Sequence, residues 1–524
     1  MNTIIAVSPI AILIWLMTKK RSMPSHMALP LVALLLYLLK ILYFGSDLKL
    51  MNATLIDGLL TAWTPILVIW GAIFLFRTME NTGGMEVVRN WLNGITGNKV
   101  AQIMIIGWAF AFLIEGASGF GTPAALAAPL LVGLGFPALS VAMLTLIMNS
   151  VPVTFGAVGT PVWFGLGQLG LTDPQLIEIG AKSAIIHTVA ALVIPIIALR
   201  FVVSFKEIRK NLLFIYLSIL ACVIPYVLLA QSSYEFPAIF GGFIGLILSV
   251  WIAKMGIGLE KTKKIRADKI SLGAITKATF PLWGTVLLLL ITRIPAIGLK
   301  ALLTSSAHSL SFSLQPVADF LLSPSLVLQL KNILGTGTNF SHAMLYVPSI
   351  IPFFVVSLIA FLIYKSSAKA IKTSWSQSWQ RMKKPIIALL AALVFVKLLL
   401  VDGDKALSLT IGRSLADLTG GYWQYFSAYL GGLGSFFSGS NTVSNLTFGG
   451  IQQSIATSLH LNLTTILAAQ SVGGAMGNMV CINNIVAVCS VLGLMNVEGK
   501  IIRKTVIPML IYGVIAGIVT IFLI

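Results

Sequence analysis

The stretch Glu115-Gly-Ala-Ser-Gly-Phe-Gly-Thr-Pro-Ala-Ala125 interrupts a long apolar sequence in the first half of this chain. It follows the apolar run 103–114, and apolar sequence resumes directly after it. An interrupted helix leaves backbone N–H and C=O groups unpaired, and a bilayer tolerates this only inside protein or beside a water-filled cavity. The stretch therefore predicts a binding site inside a membrane protein, and the rest of the chain must supply its partner and its walls.

Composition places the chain among membrane proteins. Of its 524 residues, 57% are hydrophobic and 10% are charged, whereas a soluble domain typically carries about 25% charged residues. At roughly 20 residues for each crossing, the length allows about 12–14 transmembrane helices. The predicted fold class is therefore an all-α polytopic membrane protein. Cys222, Cys481 and Cys489 lie in apolar sequence without partner spacing, so neither a disulfide framework nor a metal site is predicted.

The distribution of positive charge predicts the topology. The formal net charge is +19, and 26 of the 35 Lys and Arg residues fall in six short stretches. These stretches are residues 19–21, 77–99, 200–210, 254–277, 365–384 and 500–504. By the positive-inside bias they are cytoplasmic loops, which places both termini outside the cell. The excess charge is thus explained without a nucleic-acid partner.

Apolar runs between the charged stretches predict the membrane spans. The continuous spans are residues 4–17, 27–44, 59–76, 183–201, 212–229, 236–253, 280–291, 347–363, 386–400 and 506–524. Interrupted spans are predicted for residues 101–165 and 422–494, whereas residues 301–344 are ambiguous. The basic segment at the midpoint divides the chain in two. The predicted organisation is a first repeat over residues 1–253, a cytoplasmic linker over 254–278 and a second repeat over 279–524.

A sequence repeat across that linker supports the division. Residues 118–126 and 438–446 share Ser, Gly, Thr and Leu at an offset of 320. Each half also has a second polar, glycine-containing break, at residues 149–161 in the first half and 470–478 in the second, at matching intervals. Interrupted apolar segments at corresponding places in two halves indicate a transporter substrate site near the bilayer midplane.

The residue types at these breaks suit a small organic anion. A helix that starts inside the membrane presents free N–H groups and the positive end of its dipole to a carboxylate. Glycine allows a ligand to approach the backbone closely, and hydroxyl and amide side chains add hydrogen bonds, so a small hydroxy acid fits. The predicted substrate-binding residues are Ser118, Gly119, Gly121, Thr122, Ser438, Gly439, Ser440, Asn441, Thr442, Gly473 and Gly474, with Asn445 as a further amide.

Both broken regions resemble those of the bacterial lactate permease family. The similarity is carried by residues 115–163, 433–446 and 471–484, and it extends over essentially the whole chain. The resemblance implies a proton-coupled importer of L-lactate in the cytoplasmic membrane, with D-lactate and glycolate as further substrates. The wider superfamily implies two inverted-topology repeats with re-entrant hairpins, a mobile transport domain of the elevator type and often a homodimeric scaffold. One departure is Asn483, where a histidine is expected in relatives.

Three ionisable residues are candidates for proton coupling, because charge at membrane depth is costly and usually functional. Glu115 stands at the mouth of the first break, where loss of solvent favours a neutral carboxyl group. The alternative for Glu115 is a helix-end carboxylate paired with a Lys or Arg. Asp417 lies four residues after Arg413 and also fits an ordinary ion pair. His187 lies in an apolar run, where packing with one hydrogen-bond partner is the alternative.

Other classes of function fit the sequence less well. Gly165-Leu-Gly-Gln-Leu-Gly170 matches a dinucleotide-binding pattern, but no strand is predicted before it and no acidic residue follows at the ribose distance, so no cofactor is predicted. An intramembrane enzyme would need a catalytic constellation, and a channel would conduct without coupling. A Na⁺-coupled carrier of another small organic anion stays open, because unwound backbone carbonyls also coordinate Na⁺.

Overall fold

The computed structural model of the chain describes residues 2–18, 23–119, 122–261, 270–293, 297–495 and 497–523. These residues are mostly helical, which confirms the predicted fold class. Eight described stretches are long and apolar enough to cross a membrane. A ninth is obtained if Ala138–Met148 and Pro152–Leu169, which meet at 61°, count as one bent span. Thr3–Met17 and Ile350–Ile363 are shorter apolar helices.

Five helices form the first part of the chain. They are α1 (Asn2–Thr18), α2 (Ser25–Leu42), α3 (Leu48–Thr61), α4 (Trp63–Asn81) and α5 (Gly84–Asn93). The spans predicted at residues 4–17, 27–44 and 59–76 correspond to α1, α2 and α4, with α4 beginning four residues later than expected. The start of α3 is set by Asp47, whose carboxylate accepts a hydrogen bond from the N–H of Leu50 at 2.9 Å. This side-chain cap satisfies one of the free N–H groups of the first turn.

The first broken region, predicted at residues 101–165, is a series of short helices. The α-helices are α6 (Lys99–Ile103), α7 (Ala111–Ser118), α8 (Thr122–Gly133), α9 (Ala138–Met148) and α10 (Gly156–Thr160). The other helical stretches are the π-helices Met104–Phe110 and Pro161–Leu166 and the 3-10 turns Pro152–Phe155 and Gly167–Leu169. Both breaks expected in this half are present, one between α7 and α8 and one after α9.

Five helices follow the first broken region. They are α11 (Asp173–Ala191), α12 (Ile194–Leu199), α13 (Phe205–Lys210), α14 (Leu212–Ala230) and α15 (Pro237–Met255). The span predicted from residue 183 begins earlier, because Thr172 and Gln175 form a capping box at the start of α11. In it the N–H of Thr172 donates to Gln175 Oε1 at 2.9 Å. The first turns of α11 are polar, so hydrophobicity alone does not indicate where this helix begins.

In its described residues, the second half contains ten further α-helices and a small sheet. The helices are α16 (Leu272–Arg293), α17 (Leu299–Leu303), α18 (Val356–Ile363), α19 (Ala368–Leu400), α20 (Leu407–Thr419), α21 (Trp423–Ser438), α22 (Asn441–Ser458), α23 (Leu463–Gly477) and α24 (Ile482–Leu492). A last helix, α25 (Glu498–Leu523), ends the described chain. The remaining helical stretches are the π-helix Ile350–Val355 and the 3-10 turns Gly403–Lys405, Gly420–Tyr422 and Asn478–Val480.

The ambiguous region 301–344 contains an antiparallel sheet. Its strands are β1 (Leu310–Leu314), β2 (Ala318–Leu322), β3 (Val327–Ile333) and β4 (Thr338–Ala343), and they pair in that order. The alternation Leu-Ser-Phe-Ser-Leu in β1 has the period of a strand. Ala318, Ile333 and Phe340 of the sheet form a buried cluster with Ala53 of α3. The sheet is thereby anchored to a helix, and this packing has no signal in the local sequence.

The second broken region differs from the prediction in the position of its second break. Residues 470–477 continue α23 as a helix, and the break falls at the 3-10 turn Asn478–Val480 and at Cys481. The glycines of α23 serve close packing instead. A Cβ atom on Gly473 would lie 1.8 Å from the carbonyl oxygen of Ala428 in α21. Small residues that let two helices approach are common in membrane proteins.

The contacts divide the chain into two compact units. Unit 1 comprises Met1–Val87 and Leu272–Ile411, and unit 2 comprises Val88–Ser271 and Gly412–Ile524. Each unit therefore takes one segment from each half of the sequence. The repeat boundaries predicted at residues 253 and 279 remain a prediction, and most of the basic linker, residues 262–269, lies outside the described residues.

Two ion pairs inside unit 1 join α19 to its neighbours. Lys40 of α2 is fully buried and pairs with Asp402, which follows the end of α19. Ser46 Oγ donates a hydrogen bond to the same carboxylate at 2.6 Å. Lys397 of α19 pairs with Asp57 of α3 at 2.9 Å. Since an isolated buried charge is very costly, these pairs fix how α2, α3 and α19 pack.

We predict that Asp402→Asn destabilises the protein strongly, because it leaves the buried ammonium group of Lys40 without a counter-ion. Removing one partner of a buried pair costs about 3–5 kcal/mol of unfolding free energy. The double variant Lys40→Met/Asp402→Asn should recover most of the loss. Thermal unfolding of the purified protein in detergent, followed by intrinsic fluorescence, measures both effects.

The matched control is Glu260→Gln, which breaks an ion pair with Lys210 whose side chains are 41% and 46% exposed. An exposed pair contributes about 0–1 kcal/mol. Equal destabilisation by Asp402→Asn and Glu260→Gln would contradict a structural role for the buried pair.

Candidate functional site

The first break separates α7 from α8 in unit 2. Ser118 ends α7, and its hydroxyl donates to the carbonyl of Ile114 at 2.8 Å within the helix. Gly119 follows with φ +61 and ψ −160, a backbone conformation that glycine adopts without strain. Its α-carbon faces the next break, since an added Cβ would lie 3.0 Å from Cβ of Ala157. Gly121 and the side chain of Thr122 lie outside the described residues.

The break after α9 is a left-handed turn. Ala157, Val158 and Gly159 have φ values of +46, +58 and +72 in succession. A β-branched residue at positive φ is strained, and such strain persists only where surrounding contacts hold it. Trp163 Nε1 donates to the carbonyl of Val158 at 2.8 Å. On the other side, a Cβ on Gly159 would lie 1.9 Å from the carbonyl oxygen of Tyr234. The turn is therefore clamped by its neighbours.

The break between α21 and α22 exposes the start of a helix. Gly439 has φ +73 and ends α21. Ser440 then caps α22, and its Oγ accepts from the N–H of Val443 at 3.3 Å. The N–H groups of Asn441 and Thr442 have no intrahelical acceptor, because they belong to the first turn. The hydroxyl of Ser438 is used within this break, since its Oγ donates to the carbonyl of Gly434 at 2.8 Å and accepts from the N–H of Ser440 at 3.2 Å.

The breaks meet at one narrow cavity, all of whose walls belong to unit 2. It is lined by Glu115, Gly119, Val153, Gly156, Ala157, Thr160, Pro161, Gly439, Ser440, Asn441, Thr442 and Asn478. The two break glycines, Gly119 and Gly439, thus share one site, as the sequence repeat predicted. The cavity volume is about 10 Å³, which is enough for about one water molecule. A larger ligand would enter only with an opening of these walls.

Glu115 is the one carboxylate among the lining residues that the structure describes, and it is 1% exposed. Asn149 Nδ2 donates to its Oε2 at 3.0 Å. Its Oε1 lies against the backbone of Gly156, where an added Cβ would approach to 2.5 Å. Among the described lining residues there is no Lys, Arg or His. The ion pair weighed as an alternative for Glu115 is therefore not formed within the cavity.

Three buried amide oxygens around the cavity have no hydrogen-bond partner among the described residues. They are Oδ1 of Asn149, Asn441 and Asn445. Asn445 Nδ2 donates to the carbonyl of Pro161 at 2.9 Å, which fixes the orientation of that amide. Buried polar atoms are nearly always paired, so each of these acceptors can take a hydrogen bond from a group outside the described residues. Asn149 and Thr160 were not among the predicted site residues, although both lie in the break at residues 149–161.

Several predicted site residues lie outside the cavity lining. Gly473 packs against Ala428, and a Cβ on Gly474 would lie 1.9 Å from Oδ1 of Asn441. His187 is fully buried, with Nε2 at 2.7 Å from Thr154 Oγ1 and Nδ1 hydrogen-bonded to the hydroxyl of Tyr512. Asp417 is exposed on α20. Of the three candidates for proton coupling, Glu115 is the one that lines the cavity.

Helices that break inside a multi-span apolar fold, around a buried polar cavity, define a multi-pass membrane transporter. The sequence profile described as "L-lactate permease" matches residues 2–524. The chain belongs to the L-lactate permease family, which confirms the resemblance stated from its broken regions. It is accordingly a multi-pass protein of the cell membrane, and its relatives are named as permeases, which are transporters and not enzymes.

The matches to the following four proteins each cover nearly the whole chain. A putative L-lactate permease of Haemophilus influenzae is 50% identical, over 100% of this chain and 99% of its own length. The glycolate permease GlcA of Escherichia coli is 28% identical over 95% and 91%, and the L-lactate permease of Bacillus subtilis is 27% identical over 97% and 93%. Among solved structures, MtrF of Neisseria gonorrhoeae has a TM-score of 0.46 at 13% identity, over 97% of this chain and 96% of its own.

We predict that Gly156→Ala destabilises the protein, because the new methyl group would displace the carboxylate of Glu115. Overpacking of this kind costs about 1–3 kcal/mol of unfolding free energy. Thermal unfolding in detergent measures the effect. The control is Gly133→Ala at the end of α8, where an added Cβ meets no atom within 4 Å. If both variants unfold at the wild-type temperature, the carboxylate does not lie against Gly156.

Proposed function

We propose that this protein imports L-lactate by proton symport, with D-lactate and glycolate as further substrates. Membership of the L-lactate permease family supports the substrate class, and the relatives named for L-lactate and for glycolate support the particular acids. The observation that carries the mechanism is the buried cavity, whose described lining combines a free helix start with a single carboxylate and no cationic side chain. The helix start can bind the carboxylate of the substrate, and Glu115 can bind the proton.

The start of α22 is the proposed site for the carboxylate of the substrate. Its first N–H groups lack intrahelical acceptors, and the helix dipole places partial positive charge at this end. Thr442 and Thr160 add hydroxyl groups, whose oxygen atoms lie 3.4 Å apart. Gly439 lies at the same break without a side chain to obstruct the approach. An anion can therefore be held by dipoles and hydroxyls without a Lys or Arg.

Glu115 is the proposed proton carrier. An ionised Glu115 would repel a second carboxylate in the same cavity, and no positive side chain of the described lining screens the repulsion. A protonated Glu115 removes the repulsion and can donate a hydrogen bond. Binding of the anion is therefore linked to binding of one proton, which is the thermodynamic requirement of symport.

Unit 2 is the proposed transport domain, because every lining residue belongs to it. Alternating access would carry this unit and its cavity from one side of the membrane to the other, with unit 1 as scaffold. Homodimerisation and external termini remain part of the proposal. The charge distribution supports the orientation, since Lys and Arg cluster in the predicted cytoplasmic loops.

Na⁺ coupling is the second candidate. The unpartnered amide oxygens of Asn149, Asn441 and Asn445 favour it, because amide and carboxylate oxygens are suitable ligands for hard cations. Among the described residues, no group of three or more His, Cys, Asp or Glu side chains is placed to hold a metal ion. A Na⁺ site would therefore depend on the amides and on Glu115.

We predict that proteoliposomes containing the protein accumulate labelled L-lactate when an inward proton gradient is imposed. Because the anion and the proton bind together, accumulation should disappear when a protonophore collapses the gradient. Replacement of Na⁺ by K⁺ should leave uptake unchanged. Uptake that follows a Na⁺ gradient and ignores the proton gradient would replace proton symport by the second candidate.

We predict that Glu115→Gln abolishes proton-driven accumulation and preserves exchange of internal for external L-lactate. The amide mimics the protonated carboxyl group in shape and charge, so the anion still binds, but no proton is released. Glu178→Gln is the control, since Glu178 pairs with Lys182 and is 47% exposed. Normal accumulation by Glu115→Gln would remove Glu115 from the coupling mechanism.

A further inference from the structure

Asn441 lines the cavity, and its amide belongs to a hydrogen-bond network that extends away from the cavity. Asn441 Nδ2 lies 3.4 Å from Ser471 Oγ, and Asn445 Nδ2 donates to the same oxygen at 3.1 Å. Ser471 and both asparagines are buried. Two amide groups of α22 therefore converge on one hydroxyl of α23.

The network continues to the first half of the sequence. Ser471 Oγ donates to Thr154 Oγ1 at 3.3 Å. Thr154 Oγ1 in turn lies 2.7 Å from His187 Nε2, and His187 Nδ1 is hydrogen-bonded to Tyr512. All of these side chains are fully buried. Such a network has few alternative assignments of donor and acceptor, because each hydroxyl has one proton to donate.

The donor and acceptor roles in this hydrogen-bond network decide which atom of each amide is left without a partner. Because the proton of Ser471 goes to Thr154, Ser471 Oγ acts as an acceptor toward both amides. Asn445 cannot turn over, since its Nδ2 also donates to the carbonyl of Pro161 at 2.9 Å. With both Nδ2 atoms directed at Ser471, the Oδ1 atoms of Asn441 and Asn445 have no donor in the part of the chain that the structure describes. Of these two residues, Asn441 lines the cavity.

We propose that Asn441 Oδ1 accepts the 2-hydroxyl proton of the substrate, and that Ser471, Thr154 and His187 are positioning residues that keep this oxygen available. The proposal rests on the proposed function, because it names the group that selects 2-hydroxy acids at the same site. Gly474 makes room for the amide, since a side chain there would occupy the position of Oδ1.

The proposal accounts for discrimination among acids of similar size. Propionate has no hydroxyl group, and pyruvate has a carbonyl oxygen that only accepts hydrogen bonds. Either acid would leave Asn441 Oδ1 unpaired, and pyruvate would add a second acceptor beside it. An unsatisfied buried acceptor reduces affinity by about tenfold or more. L-lactate and glycolate both have the donor that the amide requires.

The experiment compares L-lactate uptake by Asn441→Leu, Thr154→Val and wild-type protein in proteoliposomes, with propionate and pyruvate as competitors. For Asn441→Leu, we expect the KM for L-lactate to rise about tenfold. We also expect propionate to compete for uptake nearly as well as unlabelled L-lactate. Thr154→Val should also make propionate a better competitor relative to L-lactate, because Ser471 then loses its acceptor Thr154 and can donate to Asn441 Oδ1 once that amide turns over. In that variant the maximal rate should change less than KM.

The matched control is Thr145→Val, which removes a buried hydroxyl of α9 that donates to the carbonyl of Val141 at 2.9 Å. It should keep wild-type discrimination. If Asn441→Leu discriminates like the wild type, Asn441 is not the acceptor. If Thr154→Val behaves like Thr145→Val, the network has no positioning role. Absence of L-lactate and glycolate uptake by the wild type would refute the proposed function itself, an outcome distinct from uptake with unchanged discrimination.

Discussion

The structure depends on one constraint, which is that an interrupted helix in an apolar environment must satisfy its backbone. Unit 2 contains the breaks and pairs most of their polar groups with short-range devices. Gly119 and Gly439 turn the chain at positive φ, and Ser440 caps α22. The indole N–H of Trp163 donates a hydrogen bond to the carbonyl of Val158. The amide oxygens of Asn149, Asn441 and Asn445, unpaired within the described residues, lie around one cavity. The proposed binding site is thus formed by polar groups that remain after the backbone has been satisfied.

Charge is treated differently in the two units. In unit 1, Lys40 and Asp57 are buried but paired, with Asp402 and Lys397 respectively, so their charges stabilise helix packing. In unit 2, Glu115 is buried beside Asn149, and the described residues of the cavity lining include no Lys, Arg or His. A buried group without a counter-ion is costly when ionised, and its charge then responds to any second ion that enters. This contrast is the physical basis for assigning coupling to Glu115.

The sequence predicts the helix breaks correctly at Gly119 and Gly439, where glycine coincides with polar residues. It places the last break too early, at residues 470–478, because the glycines there serve helix packing. Gly119 and Gly439 both turn the chain at the cavity, as their aligned positions suggested. Gly473 looked similar in sequence, but it lies inside α23 against Ala428. Local sequence cannot separate these uses, because both require only the absence of a side chain. The sheet at residues 310–343 was missed for a related reason, since its packing on α3 is non-local.

The sequence by itself determined the membrane environment, the helical class, the two broken regions and the family, because hydrophobicity, breaks and motifs are local properties. Tertiary structure decided which polar groups share a space. It placed Asn149 beside Glu115, joined His187 to the amide of Asn441 through Thr154 and Ser471, and left Asp417 on an exposed face. These relations depend on distances between segments about 35 to 320 residues apart in the chain, and such distances are fixed only when the helices pack.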